Sequence, residues 1–189
     1  GIPVIVVAAG SSTRMGKNKQ LINVCGLPVL VRTLKAFEQC EGVSRMILVA
    51  SSDMVLEYQK LCDSYMLTKV SDIVEGGSNR QESVLCGIKQ LKDDDEFVLI
   101  HDGARPFIAT NTISDVATAL QKYDAALCVC KINDTVKQVS EDGMVTATVD
   151  RSMLYSAQTP QGVDVKKYKA ACETLTNVDS FTDDASDME

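Results

Sequence analysis

The sequence predicts an α/β fold, a Rossmann-like and mostly parallel sheet with helices on both faces. The run Val4–Val7 is apolar and β-branched, as strands of a parallel sheet covered on both faces are. Helix-like runs alternate with such strands, and this rhythm is typical of a parallel sheet. At 189 residues the chain has the length of one domain that buries roughly 70% of its unfolded surface. We expect a single domain over 1–189, with a protruding β-arm at about 133–157.

The elements are assigned from the period of their apolar residues. Leu30, Leu34 and Phe37 share one helical face, whereas the strand segments are short apolar runs bounded by turn residues. The predicted elements are a strand at Val4–Val7, a helix at Pro28–Cys40, a strand at Arg45–Ser51, a helix at Asp53–Met66 capped by Ser52 or Asp53, a strand at Val70–Val74, a helix from Gln81 to about Lys92, a strand at Phe97–His101, a helix at Asn111–Tyr123 and a strand at Ala125–Ile132.

Residues 133–161 depart from this rhythm. Polar and apolar residues alternate around Glu141, Asp142 and Gly143, which is a hairpin signal. Neither face is strongly apolar, so two such strands alone would be marginally stable. An arm that clasps a second subunit would supply the missing burial, and a flexible surface hairpin is the alternative.

Composition argues against several classes of partner and site. A formal net charge of −7 argues against nucleic acid and anionic membranes. The chain has no apolar stretch of membrane-spanning length and no visible signal peptide. Seven cysteines without a C-x-x-C pair favour reduced thiols in a cytoplasmic protein, although a plastid protein without its transit peptide would look the same. One histidine and no Cys/His cluster argue against structural zinc.

A loop of small residues follows the first strand. Its first residues, 8–12, have side chains too small to keep a ligand off the backbone, and Arg14, Lys17 and Lys19 follow. Backbone N–H groups of such a loop can face an anion, and the cations can neutralise it. The glycine spacing fits neither a P-loop nor the G-x-G-x-x-G dinucleotide motif. We therefore expect a polyphosphate site, with a nucleotide as the ligand.

Two further strands end in loops of similar character. The loops AAGSSTRMGKNK, EGGSNRQES and HDGARPF are all rich in Gly, Ala, Arg, Asp or Ser. Carboxyl ends of parallel strands meet at one edge of a sheet, where ligands bind. We therefore expect all three loops to lie at the same edge.

Together these segments resemble the 2-C-methyl-D-erythritol 4-phosphate cytidylyltransferase family of the non-mevalonate isoprenoid pathway. A single AAG loop occurs in many sugar nucleotidyltransferases, but the combination of HDGARPF, AQTPQG and TDDAS is highly specific. The resemblance implies transfer of CMP from CTP to methylerythritol phosphate, with release of pyrophosphate and no covalent enzyme intermediate. The matching stretches run from Ala8 to Ser186 in the family's order: AAGSSTRMG with NKQ, EGGSNRQESV, HDGARPF, DTVK, TVDRSMLYSAQTPQG and FTDDAS.

The resemblance also implies roles for residues around the nucleotide. Arg14 and Lys19 match the family's transition-state stabilisers, which neutralise charge on the α-phosphate and on the departing pyrophosphate. Lys17 has no such match and is interpreted as a solvated neighbour. Asp102 matches the residue near Mg²⁺, or another divalent cation. The nucleotide contacts are expected from the backbone of Ala8, Ala9 and Gly10, and from Gly77, Ser78 and Ser83 at the cytosine and ribose.

Other residues match positions that hold methylerythritol phosphate. Arg105 either contacts the substrate phosphate or pairs with the carboxylate of Asp102. Thr135 and Arg151 lie on the arm, which in those enzymes reaches across a dimer interface. We therefore expect a homodimer with composite sites. Arg151 is also expected to be a catalytic residue. Thr159 and Thr182 match further substrate contacts, with a turn or helix cap as the alternative role.

Two residues near these motifs have structural interpretations. His101 points away from Asp102 by strand alternation, which favours a packed core histidine. Arg80 either braces the Gly-Gly loop or forms a structural ion pair.

The chain departs from the family pattern in three places. Ser12 stands where Gly is frequent, Asn18 stands where Pro often precedes the lysine, and the sequence stops at Glu189. The family normally continues to another substrate-positioning lysine, so we expect a missing C-terminal segment. Ribitol-5-phosphate cytidylyltransferase is the nearest alternative function, and a non-catalytic nucleotide-binding relative is the other.

Overall fold

The computed structural model describes residues 1–10 and 18–174. Short 3₁₀ turns lie at Lys19–Leu21 and Ser52–Met54. The elements are β1 (Ile2–Ala8), β2 (Asn23–Val24), β3 (Leu27–Pro28), α1 (Val29–Glu38), β4 (Val43–Ala50), α2 (Val55–Ser64), β5 (Val70–Glu75), α3 (Arg80–Ile88), β6 (Phe97–Asp102), α4 (Thr110–Ala119), β7 (Ala125–Lys131), β8 (Val136–Val139), β9 (Val145–Val149), β10 (Tyr155–Asp164) and α5 (Val165–Thr174).

A six-stranded sheet in the order β5-β4-β1-β6-β10-β7 organises the chain. The first four strands of this order are mutually parallel, and β10 runs antiparallel between β6 and β7. This mostly parallel sheet confirms the predicted fold class. The strand β10 was not predicted, and it begins within the range expected for the arm. Pro160 argues against a strand in the sequence, because proline lacks the N–H that a central strand donates. The register of the pairing between β10 and β7 shifts between Ala157 and Gln161.

Helices cover both faces of the sheet, as the apolar strands predict. Val4 and Val6 of β1 belong to the core on one face, which includes side chains of α1, α2 and α4. Ile5 points to the other face and packs in a core with side chains of α3 and α5. The alternation along β1 therefore divides the core into two layers, with the strand ends left to form loops.

Several helix boundaries differ from the predictions. The second helix begins as a 3₁₀ turn, and α2 starts at Val55 with no side-chain cap, so the predicted cap at Ser52 or Asp53 is wrong. The helices α3 and α4 end earlier than predicted, at Ile88 and Ala119. The β2–β3 hairpin was not predicted; its turn holds Cys25 and Gly26 at positive φ.

The predicted hairpin is present in the arm. The strands β8 and β9 pair antiparallel, and Gly143 adopts a φ of 84° in the turn between them. Val139, Met144 and Val145 are exposed large apolar side chains there. The second hairpin strand ends at Val149. The strand that begins at Tyr155 is β10, which belongs to the central sheet.

The structure bears on two expectations from composition. None of the seven cysteines forms a disulfide in the described structure. Across residues 1–10 and 18–174, the structure contains no helix that is both long enough and apolar enough to span a bilayer.

Candidate active site

A cleft of about 640 Å³ lies at the carboxyl edge of the parallel strands. The loop after β1 contributes Ala9 and Gly10, the loop after β5 contributes Gly77 and Ser78, and Asp102 comes from the end of β6. This arrangement confirms that the three loops share one edge, and the volume suits a small-molecule site. The cleft is also lined by Val7, Gln20, Asn79, Arg80, Ser83 and Ala104.

The first two loops are in direct contact. A Cβ at Gly76 would lie 2.5 Å from the Ala9 Cβ and 2.7 Å from the Ser83 Oγ, so the close approach requires glycine. The Ala8 side chain is buried in the core, which leaves its backbone as the part that could approach a ligand.

The Gly-Gly loop is shaped by its own hydrogen bonds. The Ser83 hydroxyl donates to the Asn79 carbonyl (2.8 Å) and accepts from the Gly77 N–H (3.1 Å). The Glu82 carboxylate accepts from the N–H and hydroxyl of Ser78, at 2.8 and 2.7 Å, which lowers the pKa of Glu82. The Asn79 side chain caps α3 by accepting from the Glu82 N–H at 2.8 Å. Hydrogen bonds within the chain therefore define the conformation of this loop.

Two arginines bracket the carboxylate of Asp102. Arg80 Nε donates to Asp102 Oδ1 at 3.0 Å, and Arg105 Nε donates to Asp102 Oδ2 at 3.1 Å. Arg105 also donates to the side-chain oxygen of Gln158. Arg80 thus forms an ion pair, which was one of its two expected roles. Arg105 pairs with the Asp102 carboxylate, which was one of its own two expected roles. The three side chains together carry one net positive charge, which favours an anionic ligand.

A second cavity, of about 310 Å³, adjoins this ion-pair cluster. Arg80 and Asp102 line both cavities, so the cluster lies between them. Arg105 and Thr159 line the second cavity, which brings two predicted substrate-binding residues together.

His101 is a fully buried residue beneath the cluster, and this confirms the packed core histidine. Its Nε2 lies 3.1 Å from the Arg105 carbonyl, which only accepts, so Nε2 carries the proton. Nδ1 then accepts from the Thr159 hydroxyl at 3.0 Å, and that hydroxyl accepts from the Asp102 N–H at 3.2 Å. Burial lowers the His101 pKa to about 4, so the ring is neutral at physiological pH. The chain of bonds fixes the backbone at the end of β6.

Lys19 begins a 3₁₀ turn beside the first cleft. Lys19 is exposed, whereas Gln20 is buried and lines the cleft. Within the described part of the chain, Gln20 Oε1 is buried without a hydrogen-bond partner. Gln20 was not predicted as a site residue; a polar amide between the lysine and the apolar Leu21 was the available signal. The predicted residues Ser12, Arg14, Lys17 and Thr182 lie outside the described residues.

The arm residues lie apart from the two cavities. Thr135 is exposed before β8, and Arg151 is exposed after β9. Arg151 donates to the Asn133 carbonyl and so closes the base of the arm. Neither Thr135 nor Arg151 lines the cleft or the second cavity of the described chain.

Among the described residues that line the cleft, Asp102 alone has an acidic side chain. Within residues 1–10 and 18–174, no three His, Cys, Asp or Glu side chains form a metal-binding group. One carboxylate is nevertheless a typical protein contribution to Mg²⁺, which is otherwise held by substrate phosphates and water. The donor set therefore fits a cation that is bound together with a polyphosphate.

The fold and cleft define the class of protein. A mostly parallel sheet with small-residue loops and cations at its strand ends is typical of an α/β domain that binds an anionic ligand at this edge. The family model described as IspD, 2-C-methyl-D-erythritol 4-phosphate cytidylyltransferase, matches residues 2–189. The chain belongs to this family of enzymes, which confirms the resemblance seen in its motifs.

Individual relatives agree with this assignment. The chain is 46% identical over 160 residues to the 2-C-methyl-D-erythritol 4-phosphate cytidylyltransferase of Clostridium novyi, covering 83% of the chain and 69% of the relative. It is 40% identical over 189 residues to the enzyme of that name from Halalkalibacterium halodurans, covering 98% and 82%. The crystal structure of the Anaerococcus prevotii 4-diphosphocytidyl-2C-methyl-D-erythritol synthase superposes with a TM-score of 0.86 and 33% identity, covering 98% of the chain and 80% of that structure.

Proposed function

We propose that this protein transfers CMP from CTP to 2-C-methyl-D-erythritol 4-phosphate, giving 4-diphosphocytidyl-2-C-methyl-D-erythritol and pyrophosphate. The observation that carries the proposal is the convergence of Ala9, Gly77 and Asp102 on one cleft, in a chain of the cytidylyltransferase family. The names of the bacterial relatives support the choice of substrates.

The reaction is an in-line displacement at phosphorus. A phosphate oxygen of methylerythritol phosphate forms a bond to the α-phosphorus of CTP. The bond from that phosphorus to the bridging oxygen breaks, and the electron pair leaves with pyrophosphate. No bond to the protein forms, so its residues act by orientation and by neutralising charge. In this proposal Lys19 and Arg14 neutralise the α-phosphate and the leaving group.

The nucleotide lies in the first cleft. Backbone groups of Ala8, Ala9 and Gly10 approach the nucleotide, while Gly77, Ser78 and Ser83 form the wall for cytosine and ribose. The support is the pre-shaped Gly-Gly loop, whose hydrogen bonds are made within the chain. A loop that is already ordered loses little conformational entropy on binding.

Asp102 would hold Mg²⁺ or another divalent cation together with triphosphate oxygens. The bound cation would supply charge neutralisation at the phosphates. Arg80 and Arg105 lie against the same carboxylate, at 3.0 and 3.1 Å, and bring two more positive charges to the phosphate groups.

Methylerythritol phosphate occupies the second cavity, beside Arg105 and Thr159. Thr135 and Arg151 complete this site from the arm of a partner subunit in a homodimer, with Thr182 as a further contact. The support is that both arm residues lie apart from the cavities of their own chain, and that the arm exposes Val139, Met144 and Val145.

This role places the protein in non-mevalonate isoprenoid biosynthesis. We assign it to a reducing cytoplasm, because its seven cysteines form no disulfide in the described structure. Nucleic acid and membranes are not partners in the proposal, in keeping with the net charge of −7.

The test is a pyrophosphate-release assay with the complete protein and Mg²⁺. CTP, ATP, GTP and UTP are each offered with methylerythritol phosphate, with ribitol 5-phosphate and without an acceptor. We expect release with CTP and methylerythritol phosphate only. A preference for ribitol 5-phosphate or for another nucleotide would replace this function, and binding of CTP without turnover would indicate a non-catalytic relative.

A further inference from the structure

Asn18 lies directly before Lys19 and uses both ends of its side-chain amide. Its Oδ1 accepts from the Gln20 backbone N–H at 3.0 Å and so caps the 3₁₀ turn. Its Nδ2 donates to the phenolic oxygen of Tyr58 at 3.0 Å. The amide therefore connects the turn that carries Lys19 to a side chain of α2.

Tyr58 is a rigid partner for this contact. Its side chain is fully buried in the core between the sheet and α2, where packing leaves little room for movement. Burial raises the pKa of the Tyr58 phenol, so the hydroxyl is neutral and available as an acceptor at physiological pH.

The rest of the turn is held equally closely. The Leu21 N–H donates to the Asn18 carbonyl at 3.1 Å, and the Val29 N–H donates to the Ile22 carbonyl at 2.9 Å. Gln20 is buried in the wall of the cleft. Lys19 thus has an exposed side chain on a backbone that is fixed on both sides.

We propose that Asn18 is a positioning residue for Lys19, whose amide sets the place from which the ammonium group reaches the phosphates. The inference rests on the proposed function, because it requires Lys19 to contact the reacting phosphates. Misplacement of a catalytic group by about 1 Å can lower a rate by about 10²-fold, so such a restraint has a measurable effect.

The backbone of Asn18 offers a variant that separates positioning from general stability. Asn18 has a φ of −67° and a ψ of 111°. A proline ring holds φ near −65° and its extended ψ is favourable, so Asn18→Pro suits the φ and ψ of this residue while losing both side-chain bonds. Asn18→Ala loses the bonds and leaves the direction unrestrained.

The first experiment measures kcat and KM for Asn18→Ala, Asn18→Pro and Tyr58→Phe. We expect Asn18→Ala to lower kcat roughly tenfold and Tyr58→Phe to lower it by less. The matched controls Asn111→Ala and Tyr123→Phe remove an exposed amide and an exposed hydroxyl and should leave kcat unchanged. An unchanged kcat in Asn18→Ala would overturn the inference, whereas a loss in Asn18→Pro as large as in Asn18→Ala would support it by showing that the two amide bonds are needed beyond the backbone angles.

The second experiment adds Asn18→Ala to Lys19→Ala. If Asn18 acts through Lys19, the double variant is no slower than Lys19→Ala alone, whereas a general structural defect would multiply the two losses. Thermal unfolding of each variant checks that the protein is folded at the assay temperature. Lys19→Ala with full activity would contradict the role of Lys19 and with it the positioning role; a large loss in Lys19→Ala with none in Asn18→Ala would contradict only the positioning role. The proposed function itself would be contradicted by native protein that does not transfer CMP from CTP to methylerythritol phosphate.

Discussion

The cleft and the arm differ in how completely one chain builds them. The cleft lies at the ends of buried strands, and its Gly-Gly loop is held by hydrogen bonds within the chain, as the Ser83 and Glu82 contacts show. The arm is a separate two-stranded sheet with exposed apolar side chains, and its Arg151 donates to the Asn133 carbonyl at its own base.

This difference agrees with the proposed homodimer, in which the arm of one subunit completes the site of the other. A pre-shaped cleft can bind the nucleotide within one chain, whereas an arm that is marginally stable alone gains from burial against a partner. Variants in the cleft and in the arm test this difference separately.

The largest effect is expected for Lys19→Ala in the cleft. Loss of an ammonium group that stabilises charge in the transition state should lower kcat/KM by about 10²-fold or more. Lys122→Ala, which removes an exposed lysine at the end of α4, is the control. Steady-state kinetics with CTP and methylerythritol phosphate measure both, and equal activity of the two variants would contradict the role of Lys19.

A smaller effect, on the acceptor alone, is expected for Arg151→Ala in the arm. Loss of a charged hydrogen bond to phosphate should lower kcat/KM for methylerythritol phosphate by about 10–100-fold and leave CTP affinity unchanged. Lys137→Ala, which removes an arm lysine bonded to Thr148, is the control. Weaker CTP binding in Arg151→Ala would place this residue at the nucleotide.

Mixed dimers test whether the site is shared between subunits. In a dimer of a Lys19→Ala subunit and an Arg151→Ala subunit, a composite site gives one active centre with both native residues. We expect mixing the two impaired proteins, with subunit exchange, to raise turnover above that of either protein alone. No restoration after proven exchange would place Lys19 and Arg151 of one chain in the same site.

The buried His101 predicts a pH dependence of stability beneath the cleft. Its pKa is about 4 in the folded protein, below the ordinary value of 6.5 for an exposed histidine. Between these values the unfolded chain binds more protons, so stability falls as the pH decreases from 6.5 towards 4. We expect about 2 kcal/mol less from this residue at pH 5 than at pH 7.

Urea unfolding at pH 7 and pH 5 measures this contribution. The variant His101→Gln cannot take up the proton, so its stability should fall less between the two pH values than that of the native protein. An identical fall in both proteins would show that the ring titrates normally in the folded state.

The smallest effect is expected for Gly76→Ala, where the first two loops meet. The new Cβ would lie 2.5 Å from the Ala9 Cβ, and relieving this contact should cost about 1 kcal/mol of unfolding free energy and weaken CTP binding. Gly42→Ala is the control, because its Cβ would meet only the Cys40 Sγ at 3.9 Å. Equal thermal stability and CTP affinity of both variants would show that the loops tolerate separation.

Local pattern was enough to predict the sheet edge at which the cleft lies. Apolar strand runs followed by small or charged residues placed Ala9, Gly77 and Asp102 together, since strand ends of a parallel sheet must meet. The two-residue period of β6 placed His101 in the core. Both predictions depend only on neighbouring residues and on the topology of the sheet.

Contacts between distant segments could not be predicted in the same way. The pairing of β10 with β6 joins residues far apart in the chain, and Pro160 with its polar neighbours reads as a loop. The sequence could not decide between two roles for Arg80 and for Arg105. Their shared contact with Asp102 depends on how α3 packs against the sheet. The Asn18–Tyr58 bond likewise requires the packed position of α2.

The most direct test of the central claim is a crystal structure of the complete protein with CTP and Mg²⁺. We predict density for the triphosphate between the loops that carry Ala9, Gly77 and Asp102, with the Lys19 ammonium in contact with a phosphate. Density for CTP at any other surface, with this cleft empty at saturating CTP, would contradict the account.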